Sequence, residues 1–305
     1  MQNRGVSDAW SDPAWLDQVY RWIAAQVEPT GPIEQPHVRP WSTVLRVPTV
    51  DGTLWFKANH PDLAHEARVV SLIAGRRPEL VPTLVATDLE RGWMLMVDGG
   101  ERLREVVARE RSFDRWLAIL PLYAELQLDV AADAAKLVTA GSPDRRLAGL
   151  PDSAASLGLG SEKLAEVQSW CDRLAALDIP YTIEHDDLHD GQIFVAGPGR
   201  YAFFDWGDAC VAHPFCSLAV TLEGFLRWGL DDDEEPSVDV APYLDAYLEP
   251  FEGFATREEL RAAASAAMRL GWVVRALFYR DHAAALGPAA GEDPVLLRLR
   301  LAFDG

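Results

Sequence analysis

The chain has few cysteines and little positive charge. Its 305 residues include three cysteines, Cys171, Cys210 and Cys216, and their spacing matches no metal-binding pattern. An odd number of cysteines without a disulfide framework is typical of a reducing compartment, so we expect a cytoplasmic protein. Lysine and arginine total 28 against 47 aspartates and glutamates, which gives a net charge of −19. Such an excess of negative charge argues against nucleic acid and anionic membranes as partners.

Long apolar runs are missing as well. The opening residues MQNRGVSDAW lack the apolar core of a secretion signal, and no uninterrupted apolar stretch is long enough to span a bilayer. With 49% hydrophobic residues the chain can still bury a large core, and its length suits two lobes better than one compact domain. These properties predict a soluble protein and leave its oligomeric state open.

The most informative segment combines acids and an amide with a predicted hairpin. Residues 193–196 and 201–204 are rich in aromatic and β-branched side chains and are separated by Gly-Pro-Gly, which predicts two antiparallel strands. If the turn centres on Pro198, the numbers of facing residues sum to about 396 or 397. Gln192 is therefore predicted to lie beside Asp205.

Two oxygen ligands at the open end of a hairpin suit a hard cation such as Mg²⁺ that bridges phosphates. Asp187 adds a carboxylate from the loop just before the hairpin. Taken alone, each of these residues would ordinarily be interpreted as a solvent-exposed polar residue of a turn. Here the spacing from Asp187 to Gln192, the spacing on to Asp205 and the hairpin must all agree, which favours a phosphoryl-transfer site.

The same residues carry a family resemblance. HDDLHDGQIFV followed by FFDWGDACVAHPF resembles the catalytic core of protein-kinase-like phosphotransferases. It is most similar to the aminoglycoside phosphotransferase and choline kinase family, where the pattern usually runs H-G-D-L-H-x-G-N. The resemblance implies that Asp187 orients the acceptor hydroxyl and takes its proton, while Gln192 and Asp205 hold the metal ions. His185 would brace the loop. Gln192 stands where most members carry Asn, and its amide oxygen can ligate the same ion.

The resemblance implies an α+β, bilobal protein-kinase-like fold. A small N-terminal lobe of antiparallel β-sheet with a helix would span residues 1–97, and a larger, mainly helical catalytic and substrate-binding lobe would span residues 98–305. The apolar spacing itself predicts helices, namely residues 11–27, 62–74 with Gly75 as the stop, 113–130, 162–177 and 257–286. The proline-rich residues 29–40 are predicted to be a connector.

The resemblance also places nucleotide-binding residues in the N-terminal lobe. Lys57, in a predicted strand at residues 54–58, resembles the lysine that contacts the α- and β-phosphates, and Glu66 on the next helix resembles its ion-pair partner. Backbone groups near Val97 and Asp98 would meet the adenine edge, with Met96 beside the ring.

No G-x-G-x-x-G motif precedes the predicted phosphate-binding lysine. Residues 40–44 occupy that place, and by resemblance to the antibiotic kinases Ser42 in this predicted loop would approach the phosphates.

The resulting hypothesis is a kinase that uses ATP, or another nucleoside triphosphate, with Mg²⁺. The segment after Asp205 is too short for the activation segment of a protein kinase. This favours a small-molecule hydroxyl acceptor such as an aminoglycoside, a sugar or aminosugar, or an amino alcohol. Two alternatives stay open: a catalytically weak nucleotide-binding protein of the same fold and, less favoured, a protein kinase.

The identity of the acceptor is not indicated by a motif. The acidic residues 231–235 could attract a cationic acceptor, although a solvated acidic loop is the favoured interpretation. Polar residues on the last long helix could instead reach a sugar or an anionic group, namely Arg269, Arg275, Arg280, Asp281 and His282.

Overall fold

The computed structural model describes residues 9–231, 234–289 and 291–304. The strands are β1 (Glu34–Val38), β2 (Ser42–Thr49), β3 (Gly52–Asn59), β4 (Leu84–Asp88), β5 (Trp93–Val97), β6 (Glu101–Arg102), β7 (Thr182–Glu184), β8 (Ile193–Gly197), β9 (Arg200–Phe203) and β10 (Cys210–Ala212). The α-helices are α1 (Pro13–Ala24), α2 (Glu66–Arg76), α3 (Leu103–Glu110), α4 (Trp116–Val130), α5 (Ala134–Thr139), α6 (Leu150–Ala155), α7 (Ser161–Ala175), α8 (Ala241–Leu248), α9 (Arg257–Asp281), α10 (Ala283–Leu286) and α11 (Pro294–Phe303).

A five-stranded antiparallel sheet in the order β1-β2-β3-β5-β4 forms the N-terminal lobe. The larger C-terminal part is mainly helical and holds two small ribbons, β6-β8-β9 and β10-β7. The predicted α+β class, with a small sheet lobe and a larger helical lobe, is confirmed. Within the described ranges, no helix combines the length and the apolar content that crossing a membrane requires.

Helix α1 covers the outer face of the sheet. Val19 and Ile23 are completely buried, and the ring of Trp22 meets Phe56 and Trp93 edge to face at centroid distances of 5.7 and 5.8 Å. Aromatic contacts of this kind bury large apolar areas with a preferred geometry. The N-terminal helix predicted from apolar spacing is confirmed, within narrower bounds.

The helix that carries Glu66 differs from its prediction at both ends. A 3-10 turn at Pro61–Leu63 precedes it, and α2 begins only at Glu66. The prediction that Gly75 stops the helix is wrong, because α2 continues through Gly75 to Arg76. Pro78, which follows two residues later and cannot supply a backbone N–H, explains the end of the helix better.

The predicted connector at residues 29–40 contains strand β1, so that prediction is wrong in part. Pro36 lies within β1 and the pairing is irregular between Glu34 and His37. A proline cannot donate to a strand ladder and is tolerated on an edge strand. Strand β1 is such an edge, since it pairs with β2 alone.

Long helix α9 runs through the C-terminal lobe and supplies much of its core. The predicted helix at residues 257–286 is interrupted, because α9 ends at Asp281 and α10 starts after His282. At this break the backbone of His282 leaves the helical range, and its Nδ1 lies 2.9 Å from the carbonyl oxygen of Phe278. The helices predicted at residues 113–130 and 162–177 are confirmed as α4 and α7, with small shifts of their ends.

Helix α9 approaches its neighbours closely at Gly271. A Cβ there would lie 2.3 Å from the Cys216 carbonyl oxygen and 2.7 Å from the Ala219 Cβ. We therefore expect Gly271→Ala to lower the free energy of unfolding by about 1–3 kcal/mol, the usual cost of overpacking. Gly75→Ala is the matched control, since a Cβ on Gly75 meets no atom within 4 Å.

The control substitution should leave stability unchanged or raise it by up to about 1 kcal/mol, because alanine is the better helix former. Urea unfolding of both variants beside the wild type measures the difference. Equal midpoints for the two variants would contradict the close packing at Gly271.

Candidate active site

A cleft of about 1360 Å³ lies between the sheet lobe and the helical lobe. Strands β2, β3 and β5 and helix α2 line it from one side, and the loops around the β8-β9 hairpin and the end of α9 line it from the other. All residues predicted for the site lie on its walls: Ser42, Lys57, Glu66, Met96, Val97, Asp98, Asp187, Gln192 and Asp205.

Lys57, Glu66 and Asp205 form a connected ion-pair group. Lys57 Nζ lies 2.9 Å from Glu66 Oε1 and 2.6 Å from Asp205 Oδ1. Burial alone would lower the pKa of Lys57. The two carboxylates have the larger effect and raise this pKa above its usual value, so the ammonium stays charged. Glu66 Oε1 also accepts the backbone N–H of Trp206 at 3.0 Å, which ties α2 to the segment after Asp205. The predicted Lys57–Glu66 pair is confirmed.

The β8-β9 hairpin has the predicted register. Ile193 pairs with Phe203 and Val195 pairs with Tyr201, so the paired numbers sum to about 396, as a turn centred on Pro198 requires. The Phe204 N–H then donates to the Gln192 carbonyl at 3.0 Å. This pairing places Gln192 beside the residue that follows Phe204, which is Asp205.

The two predicted metal ligands offer the oxygen chemistry that Mg²⁺ prefers. Gln192 Nε2 donates to Asp187 Oδ2 at 3.2 Å, which leaves the amide oxygen of Gln192 to serve as a ligand. Asp205 supplies a carboxylate, and although desolvation opposes ionisation, the Lys57 ammonium lowers the pKa of Asp205 overall. Across the described ranges no group of three or more His, Cys, Asp or Glu side chains is placed to hold a metal. This donor set fits an ion that arrives with nucleotide phosphates and keeps several waters.

His185 braces the loop that carries Asp187. Its Nε2 donates to the Phe204 carbonyl at 2.9 Å, and its backbone N–H donates to Tyr123 Oη at 3.1 Å. The imidazole packs against Trp206 at a centroid distance of 4.6 Å. Burial lowers the pKa of His185, so the ring is neutral near pH 7 and can donate to a carbonyl. This geometry agrees with the predicted structural role.

Arg275, on α9, contacts Asp187 directly. Arg275 Nη2 donates to Asp187 Oδ1 at 2.7 Å, and Nη1 donates to Asp208 Oδ2 at 2.6 Å and to Asp186 Oδ2 at 3.3 Å. The sequence suggested only that Arg275 could reach an anionic group. Gln192 and Arg275 together engage both oxygens of Asp187, so the orientation of its carboxylate is fixed before an acceptor arrives.

Asp186 was missed by the sequence analysis. It occupies the position of the glycine in the H-G-D pattern, and it adopts the left-handed conformation with φ of 60° that glycine tolerates best. Burial raises the pKa of Asp186 well above the usual range, and the nearby Glu184 adds to this effect. Burial likewise raises the pKa of Asp208 to about 7 against the opposing Arg275. The signal that could have found this cluster was the acid in place of glycine.

The segment after β5 has fewer free backbone N–H groups for an adenine than the sequence suggested. Val97 N–H donates to the Thr83 carbonyl at 2.9 Å, and Asp98 N–H donates to the Thr53 carbonyl at 3.3 Å. Both N–H groups are therefore already engaged within the protein. The contact of the adenine edge with backbone groups near Val97 and Asp98 stays a prediction.

Ser42 lies at the rim of the cleft but not in a loop. The predicted loop at residues 40–44 is wrong beyond Trp41, because β2 begins at Ser42 and pairs it with Asn59. Strand pairing buries Ser42 to 5% exposure. Its contact with phosphates stays a prediction.

The far end of the cleft was not predicted in detail. The end of α9, helix α10 and the segment that follows supply mostly apolar and aromatic walls there, formed by Phe278, Tyr279, Ala283, Leu286, Pro288, Ala289, Pro294 and Val295. Gly287 in this segment also comes close to Pro40 of the sheet lobe. The end of α9, helix α10 and the following segment therefore contribute an apolar part of the cleft wall.

The acidic run at residues 231–235 lies only partly within the described ranges, since residues 232 and 233 fall outside them. Asp231 is paired with Arg111 at 2.8 and 2.7 Å, and Glu234 and Glu235 are exposed. None of these three described acids lines the cleft. Steering of an acceptor by this run stays a prediction, with the solvated loop favoured.

Comparison with known proteins identifies the family and the fold of the chain. A family model described as a phosphotransferase enzyme family matches residues 37–263. No curated protein sequence matches the chain. Among solved structures, an ethanolamine kinase from Plasmodium vivax is 11% identical, with 92% of this chain and 85% of that chain covered and a TM-score of 0.66.

Two further structures extend the comparison. A type I macrolide 2′-phosphotransferase is 18% identical over 94% of this chain and 96% of its own, with a TM-score of 0.60. The ternary complex of streptomycin and ATP with APH(2″)-IIa is 12% identical over 93% and 97%, with a TM-score of 0.56. At these identities the likeness establishes the fold, which is the bilobal protein-kinase-like fold predicted from the sequence.

Proposed function

The chain belongs to the phosphotransferase enzyme family, and we propose that it transfers the γ-phosphate of ATP to a hydroxyl of a small molecule with the help of Mg²⁺. The observation that carries this proposal is the meeting of Lys57, Asp187, Gln192 and Asp205 in one cleft. Phosphoryl transfer depends mostly on positioning and charge neutralisation, and these side chains supply both.

Each side chain has a role that its contacts support. Lys57, charged and held by Glu66, binds phosphate oxygens. Gln192 and Asp205 hold Mg²⁺, which when bound would neutralise charge on the phosphates. Asp187 orients the acceptor hydroxyl through Oδ2 and takes its proton, while Oδ1 stays on Arg275.

A small-molecule acceptor fits better than a protein. Between Asp205 and Pro214 the chain forms only a 3-10 turn at Trp206–Asp208 and the short strand β10. A protein kinase needs a long activation segment there to receive a peptide. The catalytically weak alternative rests on Gln192 and on the missing glycine-rich loop. Against it, the Gln192 amide nitrogen donates to Asp187, which leaves the amide oxygen available as a ligand.

The proposal is tested by measuring ATP consumption with a panel of acceptors. We expect ATP with Mg²⁺ to raise the melting temperature, and at least one class among amino alcohols, sugars, aminoglycosides and macrolides to increase ADP release above the background. Mass spectrometry of that acceptor should show one added phosphate. Stabilisation by ATP without transfer to any acceptor class would favour the catalytically weak alternative, and phosphate on a protein substrate would favour the protein kinase.

A further inference from the structure

We propose that Arg275 is the positioning residue of the catalytic loop and that Asp186 is the anchor which fixes its guanidinium beside Asp187. The proposal rests on the proposed kinase function and adds a residue from α9 to the site. Arg275 and Asp187 are separated by 88 residues in the sequence. Their contact therefore depends on the packing of α9 against the catalytic loop.

The guanidinium is placed with little freedom. Its side chain is 6% exposed and it donates to three carboxylates, those of Asp186, Asp187 and Asp208. A planar guanidinium fixes the direction of each hydrogen bond, which a lysine ammonium does not. The ring of Tyr279, one turn further along α9, lies 5.2 Å from the guanidinium carbon and limits its movement further. Arg275 therefore sets the angle of the Asp187 carboxylate.

Asp186 is unusual in both its backbone conformation and its burial. A non-glycine residue with φ of 60° is uncommon, and a carboxyl group at 3% exposure is costly unless it has partners. Glu184 accepts a hydrogen bond from the Asp186 backbone N–H at 2.8 Å, so a second acidic side chain lies close to Asp186. A glycine here would avoid all of these costs. The pairing with Arg275 is the contact that the carboxylate gains.

Two roles for this cluster lead to different results. Arg275 could be needed only as the hydrogen-bond partner of the buried Asp186 carboxyl group, in which case removing both side chains would repair the defect. If Arg275 positions Asp187, removing Asp186 as well would remove the buried carboxyl group but still leave the Asp187 carboxylate without its partner on Oδ1. Comparing single and double substitutions separates the two roles.

The experiment compares wild type, Asp186→Gly, Arg275→Gln and the double variant in steady-state kinetics with the acceptor identified by the panel. We expect the double variant to have a kcat about tenfold to a hundredfold below that of Asp186→Gly, the usual cost of misplacing a reacting group. Its KM for ATP should stay within about twofold, because Arg275 acts through Asp187 on the chemical step and not on nucleotide binding. If Arg275→Gln alone does not fold, the double variant still decides the question.

Arg261→Gln is the matched control. Arg261 is an arginine on the same helix that pairs with the carboxylate of Asp245 through its Nε at 2.7 Å, and it does not line the cleft. We expect its kcat to match that of wild type. Arg275→Lys should have a kcat almost as low as Arg275→Gln, since one ammonium cannot make the separate, directed hydrogen bonds of the guanidinium.

A double variant with the kcat of Asp186→Gly would overturn the positioning role, while an active wild type would leave the kinase function intact. A wild type that transfers no phosphate to any acceptor would overturn both proposals at once.

Discussion

Replacing Asp187 by Asn should lower turnover by about two orders of magnitude or more, the usual contribution of a positioned general base. The Asn side chain cannot take a proton. Its amide nitrogen also cannot accept a hydrogen bond, so it loses one of the two bonds that Asp187 accepts from Gln192 and Arg275. ATP binding should stay largely intact, because Lys57, the proposed phosphate-binding residue, is held by Glu66 and Asp205.

The measurement is kcat with saturating ATP and acceptor, beside thermal stabilisation by ATP with Mg²⁺. Asp231→Asn is the matched control, since Asp231 is also paired with an arginine but is exposed and does not line the cleft. Near-normal turnover in Asp187→Asn would overturn the assignment of Asp187. A raised acceptor KM in Asp231→Asn, with an unchanged KM for ATP, would instead support steering by the acidic run.

Local signals predicted the parts of the site that lie close together in the sequence. The Gly-Pro-Gly turn fixes the register of the hairpin, because a tight turn leaves few ways for its strands to pair. The register then places Gln192 beside Asp205. The family resemblance singled out Lys57 and Glu66, which are nine residues apart, so one strand and the following helix suffice to bring them together. Contacts of this short range need little knowledge of the tertiary packing.

Contacts between distant segments could not be predicted in this way. Arg275 reaches the catalytic loop only because α9 packs through the C-terminal lobe, and nothing in the spacing of α9 distinguishes Arg275 from the other arginines on the helix. The wall formed by Phe278, Tyr279 and the segment after α10 has the same origin. This apolar part of the cleft wall is therefore set by tertiary packing that a single sequence does not display.

The end of α2 and the strand β1 show a second kind of limit. Glycine is a frequent stop signal, but α2 continues through Gly75 to Arg76, and Pro78 explains its end better. The proline-rich residues 29–40 suggested a connector, yet an edge strand accommodates Pro36 without losing a ladder partner on its free side. In both places the preference of the single residue is weak. The sheet, or a nearby residue of the same chain, decides where the helix ends or whether a strand forms.

The second prediction with a large expected effect concerns the metal. Asp205→Ala should abolish the part of ATP stabilisation that depends on Mg²⁺, because it removes the charged ligand and leaves only the neutral amide of Gln192. In wild type, ATP at a hundred times its Kd should add about 2.7 kcal/mol to the free energy of unfolding. With Asp205→Ala the curves measured with and without Mg²⁺ should coincide.

The difference between the two curves is the decisive quantity, because Asp205 also contacts Lys57. Removing the Asp205 carboxylate leaves Lys57 with Glu66 as its acidic partner, so the ammonium becomes freer to attract ATP phosphates without a metal. Total stabilisation by ATP can therefore persist in Asp205→Ala while its metal dependence disappears. Gln192→Asn is the matched control and should retain part of the metal dependence, since both side chains offer an amide oxygen. Metal dependence that survives in Asp205→Ala would show that the ion is held elsewhere and that the hairpin geometry serves another purpose.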